Sequence, residues 1–512
     1  MIDADLAAAT KYGSLDDPLD RGNPMVQAER SISLSHGKDR VGRMVLATFI
    51  AALGPLSFGF CLGYSSSALE DLIAESKESV KLTVSQGSWF SSLVTLGAIL
   101  GAPLGGWTLE YFGRKGTIMA CAVPFEVGWM LIAYANSHYM LYIGRFITGL
   151  AVGMVSLTVP VYIAEISSPS LRGMLGSVNQ LAVTMGLLLA YSMGVVLKWR
   201  WLACSGAIFP ALLVVLMFFV PETPRWSLSH KRRRDALDAM MWFRGPEADV
   251  EEECYRIEAT MDNTQSMSCA EFCRPAIMKP LFISIALMFF QQFCGINAIL
   301  FNSASIFHQA GFQDSKAVSV IIGAVQFVGT GIACLVVDKA GRKLLLWTTA
   351  LGMTVSLIAL GFYFELYIPT TQEQPTPTPA LLESIHHSIP AGKISWLAIT
   401  SIVVFNLVFA LAWGPVPWLV MSEIFPLQAR GIASSISTLC NWSLAFAVTK
   451  TFVNIEDAIT IQGTYWFYGG LSFLGFLFVL MFVPETKGKT LEQIERLFDG
   501  TLVTPREEIQ SS

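Results

Sequence analysis

The chain has 512 residues, of which 53% are hydrophobic and only 14% charged, with a mean hydropathy of +0.53 and a formal net charge of −5. Soluble domains carry about 25% charged residues, so a large soluble enzyme, which needs a charged shell, is argued against by composition alone. The charges lie in blocks along the chain, and nothing in their arrangement points to nucleic acid.

The first 43 residues form a polar tail without an apolar signal-peptide core, and the sequence predicts that it is retained. Apolar stretches of about 20 residues, long enough to cross a ~30 Å hydrocarbon layer as helices, follow at 44–68, 88–109, 116–135, 139–163, 173–196 and 201–220. After a polar loop at 221–278, expected to be partly helical, six more lie at 279–305, 317–337, 344–368, 394–421, 432–455 and 463–483. The fold class expected is an all-α membrane protein of twelve spans in two six-helix halves, 44–220 and 279–483, closed by a tail at 484–512. Span 1, around Gly54-Pro55 and Gly59, and span 10, around Gly414-Pro415-Val416-Pro417, carry helix breakers and are expected to line a pathway.

Basic residues set the orientation. Arg114 and Lys115, Arg172, Arg225 with Lys231–Arg234, Lys339 with Arg342 and Lys343, and Arg430 fall in alternate connections. That side is expected to be cytoplasmic, with both termini on it and the Pro-rich 369–393 loop outside. Lys198 and Arg200 are the main exception. The cysteines form no CxxC pair and no His-containing ligand set, so neither a metal nor a disulfide framework is expected.

Three signatures occur twice, in the same order. Glu110-Tyr-Phe-Gly-Arg-Lys115 is echoed by Asp338-Lys-Ala-Gly-Arg-Lys343, Glu165-Ile-Ser-Ser-Pro-Ser-Leu-Arg172 by Glu423-Ile-Phe-Pro-Leu-Gln-Ala-Arg430, and Pro221-Glu222-Thr by Pro484-Glu485-Thr. Their places after spans 2, 4 and 6 and again after 8, 10 and 12 indicate duplication of a six-span unit. From Val41 to Phe498 the paired motifs resemble those of the major facilitator superfamily and its sugar-porter branch. Gln291-Gln292-Phe-Cys-Gly295-Ile-Asn297, Gly414-Pro415-Val-Pro417-Trp418 and Pro484-Glu-Thr-Lys-Gly-Lys resemble facilitated glucose transporters in particular.

Carboxylates and arginines at short spacing beside a membrane face can form charge-assisted hydrogen bonds at helix ends. Candidates are Glu110, Arg114, Glu165, Arg172 and Glu222, then Asp338, Arg342, Glu423, Arg430 and Glu485. They are expected either to anchor helix ends or to latch the cytoplasmic side and open as the halves rock.

A sugar presents hydroxyls that donate and accept around an apolar ring face, which neutral amides and aromatic rings suit. In span 7, Gln291 and Asn297 stand about 120° apart on a regular helix, and Gln292 and Asn297 about 140°. They share a cavity only if the helix bends, and Gly295 is the expected cause. The resemblance implies that Gln180, Gln291, Gln292, Asn297, Gln326, Trp418 and Asn441 contact hexose, with Trp442 a family-type aromatic beside them. Trp413 is open to an interfacial reading.

The chain departs from the family at Ala410 and Ala445, at Phe301-Asn302 in place of a tyrosine pair, and at Met288-Phe289-Phe290 in place of Gln-Leu-Ser. The resemblance therefore implies hexose transport without fixing glucose, and leaves a disaccharide such as trehalose open. Proton-driven relatives place an acid where this chain has Cys61, whose ordinary pKa of about 8.5 suits no carboxylate role; facilitated diffusion is expected, with proton-coupled symport as the alternative. Glu126 in span 3 should cost about 2.5–3.5 kcal/mol if ionised and is expected to pair with a neighbour or carry a proton. A non-transporting sugar sensor is a further alternative, disfavoured by the short C-terminal tail. No enzyme activity and no cofactor are implied; the partners are a small sugar and the bilayer, and oligomeric state is not readable. Asp16-Asp17-Pro18-Leu19 lacks the second leucine of an acidic dileucine signal, which leaves both the plasma membrane and endosomal–lysosomal membranes open.

Overall fold

A computed structural model describes residues 41–74, 80–168, 171–245, 249–262, 272, 274–310, 314–366, 391–426, 429–487, 489, 493–494 and 498. The N-terminal tail, nearly all of the 369–393 loop and the end of the C-terminal tail lie outside these. Among the described residues, eleven helices are long and apolar enough to cross a membrane, and one of them, Val84–Ala133, has 50 residues. At ~1.5 Å per residue it would run roughly 75 Å, more than twice a hydrocarbon layer. It breaks at Gly113, whose φ of 78° no ordinary helical residue adopts, and so supplies spans 2 and 3.

The remaining spans are Val41–Ile73 (span 1), His138–Ile166 (4), Gly173–Val196 (5), Trp199–Met217 (6), Pro275–Phe301 (7), Lys316–Val337 (8), Arg342–Leu366 (9), Trp396–Ile424 (10), Gly431–Ile459 (11) and Ile461–Phe482 (12). The chain thus makes the expected twelve crossings. Many exposed side chains are large and apolar, among them Phe218, Phe219, Leu335 and Met481, which marks a lipid-facing surface rather than a wet one.

Span 1 is interrupted only at one residue, Ala52, between helices Val41–Ala51 and Leu53–Ala74, and Ala52 itself keeps helical bonds to Thr48 at 2.8 Å and from Leu56 at 3.0 Å. Pro55 has no N–H for the Ala51 carbonyl, which accounts for the interruption. Gly59 is no breaker. A Cβ there would stand 1.8 Å from the Val183 carbonyl oxygen, and one on Gly186 would stand 2.0 Å from that of Leu56. The two glycines let the backbones of spans 1 and 5 touch.

The polar loop carries helices Pro224–Ser229, Arg233–Arg244 and Val250–Asp262, docked on the first half. Arg244, only 5% exposed, donates to the Ile166 carbonyl at 2.9 Å and the Met44 sulfur at 2.8 Å, and pairs with Glu253 at 3.0 Å. Arg43 lies over the Trp242 ring at 5.4 Å. Arg200, the misfit in the charge pattern, donates to the carbonyls of Ala133 and Ala135 at 2.9 Å each, so it caps the end of span 3. Gly59→Val should lower the thermal unfolding midpoint in detergent, at a cost of about 1–3 kcal/mol for overpacking. Gly431→Ala, which meets nothing within 4 Å, should leave it unchanged.

Candidate functional site

The end of the bundle carrying Arg114 and Arg342 is termed the basic end, and its opposite the far end. Between them, spans 7 and 10 are both interrupted. Span 7 breaks at Gly295, left-handed at φ 85°, and its outer piece turns so that Gln291, Gln292 and Asn297 come together. Span 10 passes through a π-helical turn, Phe409–Trp413, before Pro415 and Pro417. Pro417 cannot supply the N–H that would bond the Trp413 carbonyl in a regular helix. The Gln291 amide does so instead, donating to Trp413 O at 2.7 Å and Gly414 O at 3.2 Å.

From that point an amide chain runs outward. Asn441 Nδ2 donates to Gln291 Oε1 at 2.7 Å, Gln292 Nε2 to Asn441 Oδ1 at 3.2 Å, and Asn297 Nδ2 to Gln292 Oε1 at 2.6 Å. Gln291, Gln292 and Asn441 are buried, whereas Asn297 is half-buried and ends the chain. Gln326 is buried in span 8 and Trp442 in span 11, and among the described residues Gln326 Oε1 and Trp442 Nε1 have no hydrogen-bond partner. The Trp442 ring meets Phe58 of span 1 at 5.7 Å, where the halves face one another. Gln180 and Trp418 are half-buried, and neither side chain joins the amide chain. Trp413 is 1% exposed and donates to the Leu346 carbonyl at 3.0 Å, so it is an interior residue and not an interfacial one.

At the basic end the duplicated motifs build the same object twice. After Gly113, the backbone N–H groups of Arg114 and Lys115 donate to Glu222 at 3.1 and 3.0 Å. After Gly341, with φ 97°, those of Arg342 and Lys343 donate to Glu485 at 3.0 Å each. Arg114 pairs with Glu165 at 2.8 Å and Arg342 with Glu423 at 3.0 Å. Thr223 and Thr486 complete the match, each donating to the carboxylate of its own half at 2.6 Å. Each of these ion pairs joins helices of one half. The Glu110 carboxylate is exposed, and its residue contributes a carbonyl to the Trp226 indole at 3.0 Å. The side chains of Arg172, Asp338 and Arg430 lie outside the described ones.

Sequence reasoning missed Arg145, although a basic residue inside an apolar span is a signal in itself. It is fully buried and donates to the Cys61 carbonyl at 3.0 Å, the Cys61 sulfur at 3.4 Å, the Phe90 carbonyl at 3.3 Å and the Ser65 hydroxyl. The Phe90 and Tyr64 rings lie 5.1 and 5.7 Å away, and no carboxylate pairs with it among the described residues. Glu126, in span 3, is not among these contacts. It lines a groove on the outside of the bundle with Val127, Met130, Tyr134 and Met140, and its Oε1 has no partner.

A family model described as "Sugar (and other) transporter" matches residues 47–498. The chain is 45% identical over 460 residues to "Solute carrier family 2, facilitated glucose transporter member 8" of Mus musculus, covering 90% of this chain and 95% of that one. It is 40% identical to "Facilitated trehalose transporter Tret1" of Anopheles gambiae, over 89% of this chain and 56% of the other. Among solved structures, a partially occluded inward-open conformation of the xylose transporter XylE from E. coli superposes with a TM-score of 0.72. That match has 27% identity and covers 88% of this chain and 100% of that one.

The two capping carboxylates titrate in opposite directions. Burial holds Glu222 above the usual glutamate range against the N–H groups of Thr223, Lys115 and Arg114. Burial also pushes Glu485 up, but the N–H groups of Lys487, Arg342, Lys343 and Thr486 outweigh it and leave it depressed. The stabilisation from Glu485 is thus present above the unfolded glutamate value and lost only as pH falls through a lower one, whereas Glu222 takes up its proton first. Hydrogen exchange corrected for intrinsic rates should show the amides of Arg114 and Lys115 losing protection at a higher pH than those of Arg342 and Lys343. Simultaneous loss would contradict the asymmetry.

Proposed function

This chain belongs to the sugar transporter family, and on that footing we propose that it carries a hexose down its concentration gradient by alternating access. The observation that carries the reading is the neutral amide chain Gln291–Asn441–Gln292–Asn297, held where spans 7 and 10 are both broken. Amides both donate and accept, as sugar hydroxyls do. The unpartnered Gln326 oxygen and Trp442 indole N–H add one acceptor and one donor, and the ring of Trp442 suits the apolar face of a pyranose. Gln180 and Trp418 extend the same surface.

Uncoupled transport is supported at Arg145. Cys61, Ser65 and Phe90 give it neutral acceptors, so the span 1 position that could hold a titrating acid holds none. Glu126 lies on the outside of the bundle, away from any path between the amides and Arg145. The basic end is cytoplasmic in this reading, both termini lie there, and the membrane is the plasma membrane or an endosomal–lysosomal one. Glu222 and Glu485 fix the turns after spans 2 and 8, while Arg114–Glu165 and Arg342–Glu423 bind each half into a unit that rocks whole. The likeness to a trehalose transporter favours a disaccharide as the second reading.

In liposomes the purified protein should bring labelled hexose to the same final level with and without a proton gradient. Accumulation above equilibrium that disappears in Glu126→Gln would overturn uncoupled transport, and a competition panel in which trehalose outcompetes every hexose would replace the cargo. Asn441→Ala should raise KM roughly tenfold or more by unpairing Gln291 and Gln292, with folding retained. Gln291→Leu should lose stability as well as uptake, because it also strips the Trp413 carbonyl of its donor.

A further inference from the structure

The two halves touch at the far end chiefly through neutral groups. Ser66 and Ser303 share a hydrogen bond of 2.8 Å, the Ala304 N–H donates to Ser66 at 3.0 Å, Tyr191 donates to the Leu300 carbonyl at 2.7 Å, and Ser88 to the Lys450 carbonyl at 3.2 Å. One ion pair among the described residues also crosses between the halves there, Asp71 at the end of span 1 with Lys316 at the start of span 8.

We propose that Asp71 and Lys316 form a reversible latch on the far mouth, with Asp71 the fixed member and Lys316 the one that leaves. The inference rests on the alternating-access reading above. The two oxygens of Asp71 serve different halves. Oδ1 takes the Lys316 ammonium, and Oδ2 accepts from the Trp199 N–H at 3.1 Å. Trp199 opens the first helix of span 6, and the unpaired N–H groups of such a terminus favour an anion.

When the halves separate, the carboxylate therefore stays seated in the first half. Lys316 departs with span 8 and regains water. The setting suits reversal: the two side chains are 22% and 17% exposed, so the pair stands at the edge of water and is not sealed from it. A pair at the water's edge rehydrates at small cost and responds to salt, whereas a buried pair does neither. These are positioning residues, acting on the balance of states without touching sugar.

The test uses spin labels at Val84 and Ile459, exposed far-end positions on opposite halves, in a cysteine-free background that retains uptake. Asp71→Asn keeps an acceptor for Trp199 and removes only the charge; Lys316→Met removes the cation. Each should raise the long-distance, far-end-open population roughly two- to fivefold, and Lys316→Arg should leave it as in the parent. Salt at about 1 M, where charges are screened beyond about 3 Å, should raise it in the parent but not in Lys316→Met. Unchanged distance distributions in both neutral variants, or a parent that ignores salt, would overturn the latch even with uptake intact. Absence of sugar uptake by the parent would instead sink the transport reading.

Discussion

A carbonyl orphaned inside an apolar bundle must find a donor within the protein, because no water is there to serve it. Trp413 presents such a carbonyl because Pro417 cannot pair with it, and Gln291 is the donor that answers. From this one repair the site follows. Gln291 is held in a single orientation with its own oxygen turned to Asn441, which orients Gln292, which in turn orients Asn297. An unsatisfied amide in that setting would cost about 1–3 kcal/mol, so each member keeps its neighbour in one flip state. The broken backbone of span 10 is thus the origin of the amide geometry.

Duplication accounts for the basic end and does not account for the middle. Glycine, arginine, threonine and two glutamates recur in matching places with matching bonds, down to Lys115 and Lys343 donating to the Phe218 and Leu480 carbonyls. Between the ends the halves have diverged. The amide chain belongs to spans 7, 10 and 11, while the first half has Arg145 among rings and neutral acceptors and a backbone contact at Gly59 and Gly186. One half carries the chain of neutral amides and the other a buried guanidinium and close backbone packing.

Twelve crossings, the doubling and the bend at Gly295 were legible because each is written in local chemistry: apolar length, ordered motifs and one residue able to adopt φ 85°. What stayed illegible depends on the third dimension. Gly59 reads as a helix breaker until the Val183 carbonyl is found 1.8 Å from where its Cβ would be. Trp413 reads as an interfacial ring until Leu346 is found to take its N–H. Lists of acids and arginines cannot say which pairs form; among the described residues the structure pairs Arg114 with Glu165 and Arg342 with Glu423. Glu126 and Arg145 carry the same signal in the sequence, a charge inside an apolar span, and only the structure separates the groove that holds one from the buried set of acceptors around the other.

The helical loop is fastened to the first half through Arg244 at Met44 and Ile166 and Arg43 at Trp242. Seen from the basic end, the two halves are unequal: the first carries three helices, while described residues of the C-terminal tail dock on the second through Phe498, whose carbonyl accepts from Lys279 at 3.2 Å. Anything that grips the helical loop, an antibody fragment or a surface tether, grips the first half and reports its tilt, leaving the amide-bearing half free to swing. The duplicated body therefore has a built-in frame of reference.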